Sequence, residues 1–502
     1  MQSHTYNQSS IHQTIVHPTT QSLKSLPLHV MDQNLLHHSY DPEEFRKQGH
    51  LLVDRLAGYL KECIDAHDMP VMPWKEPEEQ YEYWKHHLDK DDDPHAEEFF
   101  KQVLQQSIHL HHPHYVGHQV VPPLPLAALT ELLEAFTNNS MAVYEVGPAS
   151  TAIEKAVVQW MISHLSYPGT ANGLLTSGGS LGNLTALLAA RENFFHQSKK
   201  VDGKPSIMFS PESHYSIERA ARIMGMDAEQ MIHLPVKDHR IDVERLADLL
   251  EKVKRQGKAV FMLSANACST ATGTYDNLKK LSAFCSENRI WLHVDAAHGG
   301  PAIFSKKYKH LLKGIEKADS IVIDFHKMMM IPALTTAVLF KDGQTSYRTF
   351  SQKADYLLKQ ENKWYDIAKR SIECTKKPMA LKIYLMIKMY GEKLFESYID
   401  QTYDLAKEFA ALIKSENDLE LAATPESNIV CFRLIRAGLS EHQLNELNSK
   451  IRDQLIKSGK FYIVQTTLEN KFFLRTTLMN PFTDIEILKN LLREIQWLAM
   501  KF

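Results

Sequence analysis

Between about Gly173 and Phe340 the chain alternates short, nearly unbroken apolar runs with helical stretches rich in Glu, Lys and Ala. The runs are GLLTSGG, SIMFS (206 to 210), MIHLPV (231 to 236), AVFMLSA (259 to 265), IWLHVDAA (290 to 297), SIVIDFHK (320 to 327) and TTAVLF (335 to 340). Continuous apolar strands that alternate with helices predict an α/β fold with a mostly parallel central sheet covered by helices on both faces. Ligands of such sheets bind beyond the carboxyl ends of the strands. Polar residues that close each run are therefore the first candidates for chemistry.

The flanking regions have other patterns. Residues 1–40 are rich in Gln, Ser, Thr and His and define no apolar face, which predicts a mobile or partner-bound tail. Asp41-Pro42-Glu43-Glu44 then opens a helical region as an N-cap followed by proline and acids, with Phe45, Leu51, Leu52, Leu56 and Tyr59 at helical spacing. This stripe needs another surface to cover it, so 41–115 is expected to pack on another domain or subunit. A helix is predicted near Pro378 to Leu394. Beyond it, ESNIVCFRL (426 to 434) and KFFLRTTLM (471 to 479) look like strands and Asp484 to Leu498 like a helix. The expected division is a tail over 1–40, a helical segment over 41–115, a large domain over 116–390 and a small α/β domain over 391–502.

Composition narrows the class. The chain has 502 residues, 44% apolar and 23% charged, with 57 Lys and Arg against 60 Asp and Glu. That balance predicts neither a nucleic-acid nor a membrane partner. Five scattered cysteines without a CxxC pair read as reduced thiols, and no secretory leader or bilayer-length apolar stretch is visible, so a cytoplasmic location is expected.

Four features carry chemistry. Lys327 closes the run SIVIDFHK, where partial burial would free an amine to condense with an aldehyde, although a lysine after a strand is ordinarily solvated. Asp295 closes IWLHVDAA among small residues, as a loop cap or as the partner of a flat cationic ring. Thr176-Ser177-Gly178-Gly179-Ser180-Leu181-Gly182-Asn183 joins a strand to a helix and can hold an anion at the helix start, though it is neither a P-loop nor a GxGxxG turn. His214, in SPESHYSIERA, can stack on a ring or act as an acid, or can be a plain loop histidine. Together they supply what pyridoxal 5'-phosphate requires: an aldehyde trap, a ring-nitrogen partner, a stacking group and a phosphate cradle.

The motifs HPHYVGH (112 to 118), VGPASTAIE (146 to 154), TSGGSLGNLTALLAAR (176 to 191), HYSIERAA (214 to 221), YDNL (275 to 278), HVDAAHGG (293 to 300), DFHK (324 to 327), ALKIY (380 to 384) and VCFRL (430 to 434) follow one another in family order. From about Pro42 to the C-terminus the chain resembles the pyridoxal-phosphate-dependent group II amino-acid decarboxylases, which include aromatic-amino-acid, glutamate and diaminobutyrate decarboxylases and have the aspartate-aminotransferase fold (fold type I). The resemblance implies that Lys327 is the Schiff-base lysine and that Asp295 pairs with the pyridine nitrogen. It places His214 and Ala297 on the two faces of the ring, Gly179, Ser180 and His326 at the phosphate, and Thr270 in the cofactor lining. It makes Tyr365 the catalytic proton donor of a mobile loop reaching the neighbouring subunit, with Tyr356 the alternative. His114, Tyr115, His118 and Tyr144 fall in the expected substrate-binding region. The family's homodimers, with a site at the subunit boundary, are implied as well. Lys376 and Lys377 stand where the family often has Arg, which leaves substrate contacts open.

The expected reaction is decarboxylation of an L-amino acid to its amine and CO2, with a leaning to a basic or aliphatic substrate such as 2,4-diaminobutyrate. An aromatic or acidic substrate, and an aldehyde-forming variant, stay open. A competing reading of another class is a non-catalytic metal-binding module built on the five histidines of HLHHPHYVGH (109 to 118). Such sites generally add Cys or carboxylate ligands, and no metal is expected here.

Overall fold

The computed structural model describes residues 35–66, 69–89, 96–197, 202–351 and 363–502. Two compact units are present: residues up to 61 with 85–106, and residues 62–84 with 107–502. The expected helical region over 41–110 is three helices, Pro42–Asp65, Pro77–Asp89 and Ala96–Gln106. Asp41 Oδ1 accepts from Glu43 N at 2.9 Å, as a cap at that position should. Most of the expected tail, 1–34, lies outside the described residues.

All seven apolar runs are strands of one sheet. They are β1 (Asn172–Thr176), β2 (Lys204–Phe209), β3 (Met231–His233), β6 (Lys258–Asn266), β7 (Trp291–Asp295), β8 (Ser320–Asp324) and β9 (Thr336–Phe340), while β4 (Val236–Lys237) and β5 (Arg240–Ile241) form a small separate hairpin. The order is β1-β9-β8-β7-β6-β2-β3. Neighbours from β8 through β3 run parallel, and β9 is antiparallel to both β1 and β8. Every residue of β7, β8 and β9 is buried.

The pleat explains why both faces are apolar. Ile321, Ile323, Ala337 and Leu339 join one core, whereas Val322, Val338 and Phe340 join another. Successive residues thus feed opposite layers, each large side chain contributing roughly 2 kcal/mol by burial. A second, antiparallel sheet of order β10-β11-β13-β12 is built from β10 (Leu419–Leu421), β11 (Ile429–Leu434), β12 (Val464–Leu468) and β13 (Lys471–Thr477). β11 and β13 are the two strands expected from sequence. β10 and β12 are short or half-polar, and their pattern alone does not announce them. The helix expected from Pro378 runs from Ala380 to Ser415, with non-helical Gly391 (φ 67°) inside it.

This topology sends the carboxyl ends of β6, β7 and β8 to one edge of the sheet. The Gly/Ser turn after β1 reaches the same edge because β1 lies antiparallel to β9, which in turn lies antiparallel to β8.

Candidate active site

A cavity of about 300 Å³ opens at that edge. Lys327, Asp295, His214, Gly179, Ser180, Ala297, His326 and Thr270 all line it. So do Asn183, His298 and Asp324, which sequence reasoning did not single out.

The Gly/Ser turn is shaped by its glycines. Gly178 has φ +108°, a conformation that favours glycine. A Cβ on Gly179 would lie 3.2 Å from both oxygens of Asp324, so the turn sits directly against that carboxylate. The helix Gly179–Gln197 starts here, with Gly179 and Ser180 of its first turn in the cavity wall, and the first N–H groups of a helix have no partner within it.

Asn183, one turn into that helix, is the hub of the site. Its Nδ2 donates to Asp295 Oδ2 at 2.8 Å and to Ser216 Oγ at 2.8 Å. Ser216 Oγ in turn lies 2.7 Å from His214 Nδ1. On the other side Asn183 Oδ1 accepts from His293 Nε2 at 3.0 Å, and His293 Nδ1 meets Ser320 Oγ at 2.9 Å, itself the acceptor of Trp291 Nε1 at 2.8 Å. The chain of donors settles each proton by assignment. Ser216 accepts from Asn183 and so donates to His214 Nδ1, leaving His214 with its N–H on Nε2. Asp295 also accepts from Ala297 N at 3.2 Å, so the buried carboxylate is held by neutral donors.

Charge is concentrated at Lys327. Its Nζ is 2.9 Å from Asp324 Oδ2, and its side chain is 17% exposed against 2% for Asp324. Burial opposes the ammonium, but Asp324 and Asp295 outweigh it and hold the amine above the ordinary lysine range. Burial also opposes charge on Asp324, yet Lys327, His326 and a 2.5 Å bond from Thr336 Oγ1 keep it below the ordinary carboxylate range. Burial, more than any neighbour, lowers His214. His298 falls to about 3, first through burial and then through Lys327. Asn428 Oδ1 accepts from its Nε2 at 2.7 Å, since the Asn428 amide nitrogen is committed to Leu478 O at 3.1 Å. His298 Nδ1 is buried without a hydrogen-bond partner.

Other expected site residues lie elsewhere. His114 stacks on Phe461 (centroids 4.2 Å) and its Nδ1 meets Lys460 O at 2.9 Å. Tyr115 stacks on Tyr462 at 5.2 Å, and His118 is 5.9 Å from the same ring. Tyr144 and Tyr365 pair with each other at 5.3 Å. None of these five lines the cavity. Tyr356 lies outside the described residues. Lys376 is not a surface contact: its Nζ is fully buried on Glu154 at 2.6 Å and Leu175 O at 2.7 Å, where it pins the end of β1 just before the Gly/Ser turn. Arg475 is a buried guanidinium that sequence reasoning passed over, and its Nη1 donates to Thr270 O at 2.7 Å.

The histidines of 109 to 118 are mostly tied to backbone. His111 Nε2 meets Pro123 O at 3.1 Å and His112 Nε2 meets Met69 O at 3.0 Å. Among the described residues no cluster of three or more His, Cys, Asp or Glu is disposed to hold a metal, and no helix is long and apolar enough to cross a membrane.

The fit to pyridoxal phosphate rests on these groups lining one cavity: a lysine amine, a buried carboxylate, an imidazole, and a glycine turn at a helix start. Residues 89–435 match the pyridoxal-dependent decarboxylase conserved domain, and the chain belongs to that family of pyridoxal-phosphate-dependent amino-acid carboxy-lyases. It is 31% identical over 413 residues to an L-2,4-diaminobutyrate decarboxylase of Acinetobacter baumannii, covering 78% of this chain and 81% of that protein. It is 30% identical to an aromatic-L-amino-acid decarboxylase of Bacillus atrophaeus, covering 80% and 84%. The fold matches the crystal structure of mouse CSAD in apo form with a TM-score of 0.84 at 24% identity, covering 91% of this chain and 99% of that one. The protein is thus an amino-acid decarboxylase with the fold type I architecture.

Proposed function

We propose that this chain decarboxylates a basic or aliphatic L-amino acid, such as 2,4-diaminobutyrate, to the amine and CO2. The observation that carries the reading of the site is the convergence of Lys327, Asp295 and His214 on one cavity, with Asn183 bonded to Asp295 and wired through Ser216 to His214. Lys327 is the amine that would hold the cofactor through its aldehyde. Asp295 keeps the ring nitrogen protonated by supplying a buried negative charge. When bound, pyridoxal phosphate supplies the electron sink that lets the bond from Cα to the carboxylate break. His214 offers its Nε2 proton to the cavity, where it orients the substrate carboxylate across the ring. Gly179, Ser180 and His326 would hold the phosphate, and Ala297 would pack against the ring.

The basic side of this reading is supported by Glu373. Ser177 Oγ, in the cavity wall, donates to Glu373 Oε1 at 2.7 Å, while Glu373 Oε2 is buried without a partner. A second ammonium on the substrate would satisfy that oxygen. A CO2-release screen across the amino acids tests this: 2,4-diaminobutyrate or another basic amino acid should lead, and Glu373→Gln should raise its KM by roughly tenfold or more with a smaller change in kcat. Turnover confined to aromatic or acidic amino acids contradicts it.

We also infer a homodimer in which Tyr365 serves the neighbouring site as proton donor, with the 41–115 segment packed on the partner subunit. The helix Pro125–Thr137 leaves Leu129, Leu132 and Leu133 exposed at helical spacing, an apolar stripe that a second copy would cover. Leu133→Glu should shift the protein to monomer in sedimentation and remove activity. Tyr365→Phe should divert product from amine to aldehyde; unchanged clean amine would refute its role.

A further inference from the structure

Asp324 has no part in the roles assigned so far, yet it is the side chain nearest the lysine charge. Its Oδ2 is 2.9 Å from Lys327 Nζ and 3.6 Å from His326 Nε2, and its Oδ1 accepts from Thr336 Oγ1. Both oxygens lie 3.2 Å from where a Cβ on Gly179 would stand, so the carboxylate forms the wall of the turn assigned to the phosphate. A buried carboxylate against a phosphate seat is unfavourable by ordinary electrostatics, since two like charges in a low dielectric repel strongly.

We propose that Asp324 couples phosphate binding to activation of Lys327: it holds the amine as an ammonium while the turn is free and takes its proton when a phosphate dianion occupies the turn. This rests on the cofactor reading above. The proton moves from Nζ of Lys327 to Oδ2 of Asp324. The neutral amine then forms the bond from Nζ to the aldehyde carbon, and the carbonyl oxygen departs as water with the two remaining amine protons. The proton held by Asp324 stays available to the new nitrogen, so charge balances without any further reactant. The other titratable groups around the carboxylate are few. Lys327 and His326 come from its own segment, Asp295 from the end of the neighbouring strand β7, and His214, His298 and the Cys268 thiol line the same cavity. β9 offers the uncharged Thr336. Of these groups Asp324 is the one in direct contact with the ammonium, its Oδ2 2.9 Å from Lys327 Nζ, so it is the group placed to receive the proton.

The test separates the phosphate from the aldehyde. Apo protein is mixed with pyridoxal, which carries the aldehyde without the phosphate, and capture by Lys327 is followed by absorbance across pH with and without saturating inorganic phosphate. In the wild type, inorganic phosphate should accelerate capture near neutral pH roughly tenfold or more and move the pH midpoint down. In Asp324→Asn the lysine loses its counter-charge, so capture should already be fast and phosphate should have no effect. Thr336→Val, which removes one donor from the carboxylate, should show an intermediate midpoint if the asparagine variant fails to fold. A wild-type rate indifferent to phosphate, or an equal phosphate acceleration in Asp324→Asn, overturns the proposal. Failure of pyridoxal phosphate itself to bind wild-type protein overturns the cofactor assignments instead.

Discussion

His214, His293 and His298 at the edge of the large sheet can be set beside His111, His112 and His114 in the segment before residue 118. Both groups are largely buried, and in both burial disfavours the charged form, with His112 and His293 at about 4 and His298 at about 3. They differ in what they bond. The second group directs its ring nitrogens at backbone carbonyls of Pro123, Met69 and Lys460, which cannot move without moving the chain. The first group bonds to Ser216, Asn183, Ser320 and Asn428, side chains that can rearrange around a ligand, and keeps one buried nitrogen unpaired. Burial and a shifted pKa therefore do not distinguish a site from a scaffold. The partners do.

Substitutions on the two sides should separate in kind. The largest effect is expected for Asp295→Ala, which removes the charge we assign to the ring nitrogen: activity should fall by about 100- to 1000-fold, comparable with loss of a preorganised oxyanion donor. Near-normal turnover would break the comparison. Asn183→Ala removes one donor from Asp295 and the donor to Ser216 Oγ, so about 1–3 kcal/mol should be lost. That loss should appear in kcat and as a change in the pH profile, because His214 loses its fixed tautomer. His112→Ala should lower unfolding free energy by a similar ~1–3 kcal/mol, since Met69 O and His114 N lose their partner, while kcat per folded molecule stays within about twofold.

The smallest expected effect is shared by both regions. Histidines that are more acidic in the fold than in the unfolded chain bind protons preferentially on unfolding. Their contribution is complete above about pH 6.5 and is lost as pH falls toward 4 for His112 and His293, and toward 3 for His298. Denaturant midpoints measured from pH 7 to 4 should fall, and His112→Gln should flatten that fall. A midpoint that rises on acidification would contradict the burial assigned to these rings.

Much of this was legible in the sequence because strands in a covered parallel sheet are apolar on both faces and end abruptly. Seven runs corresponded to seven strands, and Lys327, Asp295 and His214 stood just beyond or at their ends. Asn183 was hidden because it lies a helical turn past the loop, inside an otherwise ordinary helix. Asp324 was hidden because it is the last residue of β8 and reads as part of the strand, although it stands in the DFHK motif. His298 carried no signal of its own: its role depends on Asn428, 130 residues away, fixing which nitrogen bears the proton. Lys376 stood out only as a lysine where the family often has Arg, and nothing in the sequence shows that Glu154 lies buried beside it.

The central claim is that Lys327, held against Asp324 at the end of β8, is the amine that bonds the cofactor aldehyde. Borohydride reduction of the holoenzyme followed by peptide mapping tests it most directly. A single pyridoxyl adduct on Lys327, absent in Lys327→Ala, is the expected result; an adduct on another lysine, or none, contradicts the account.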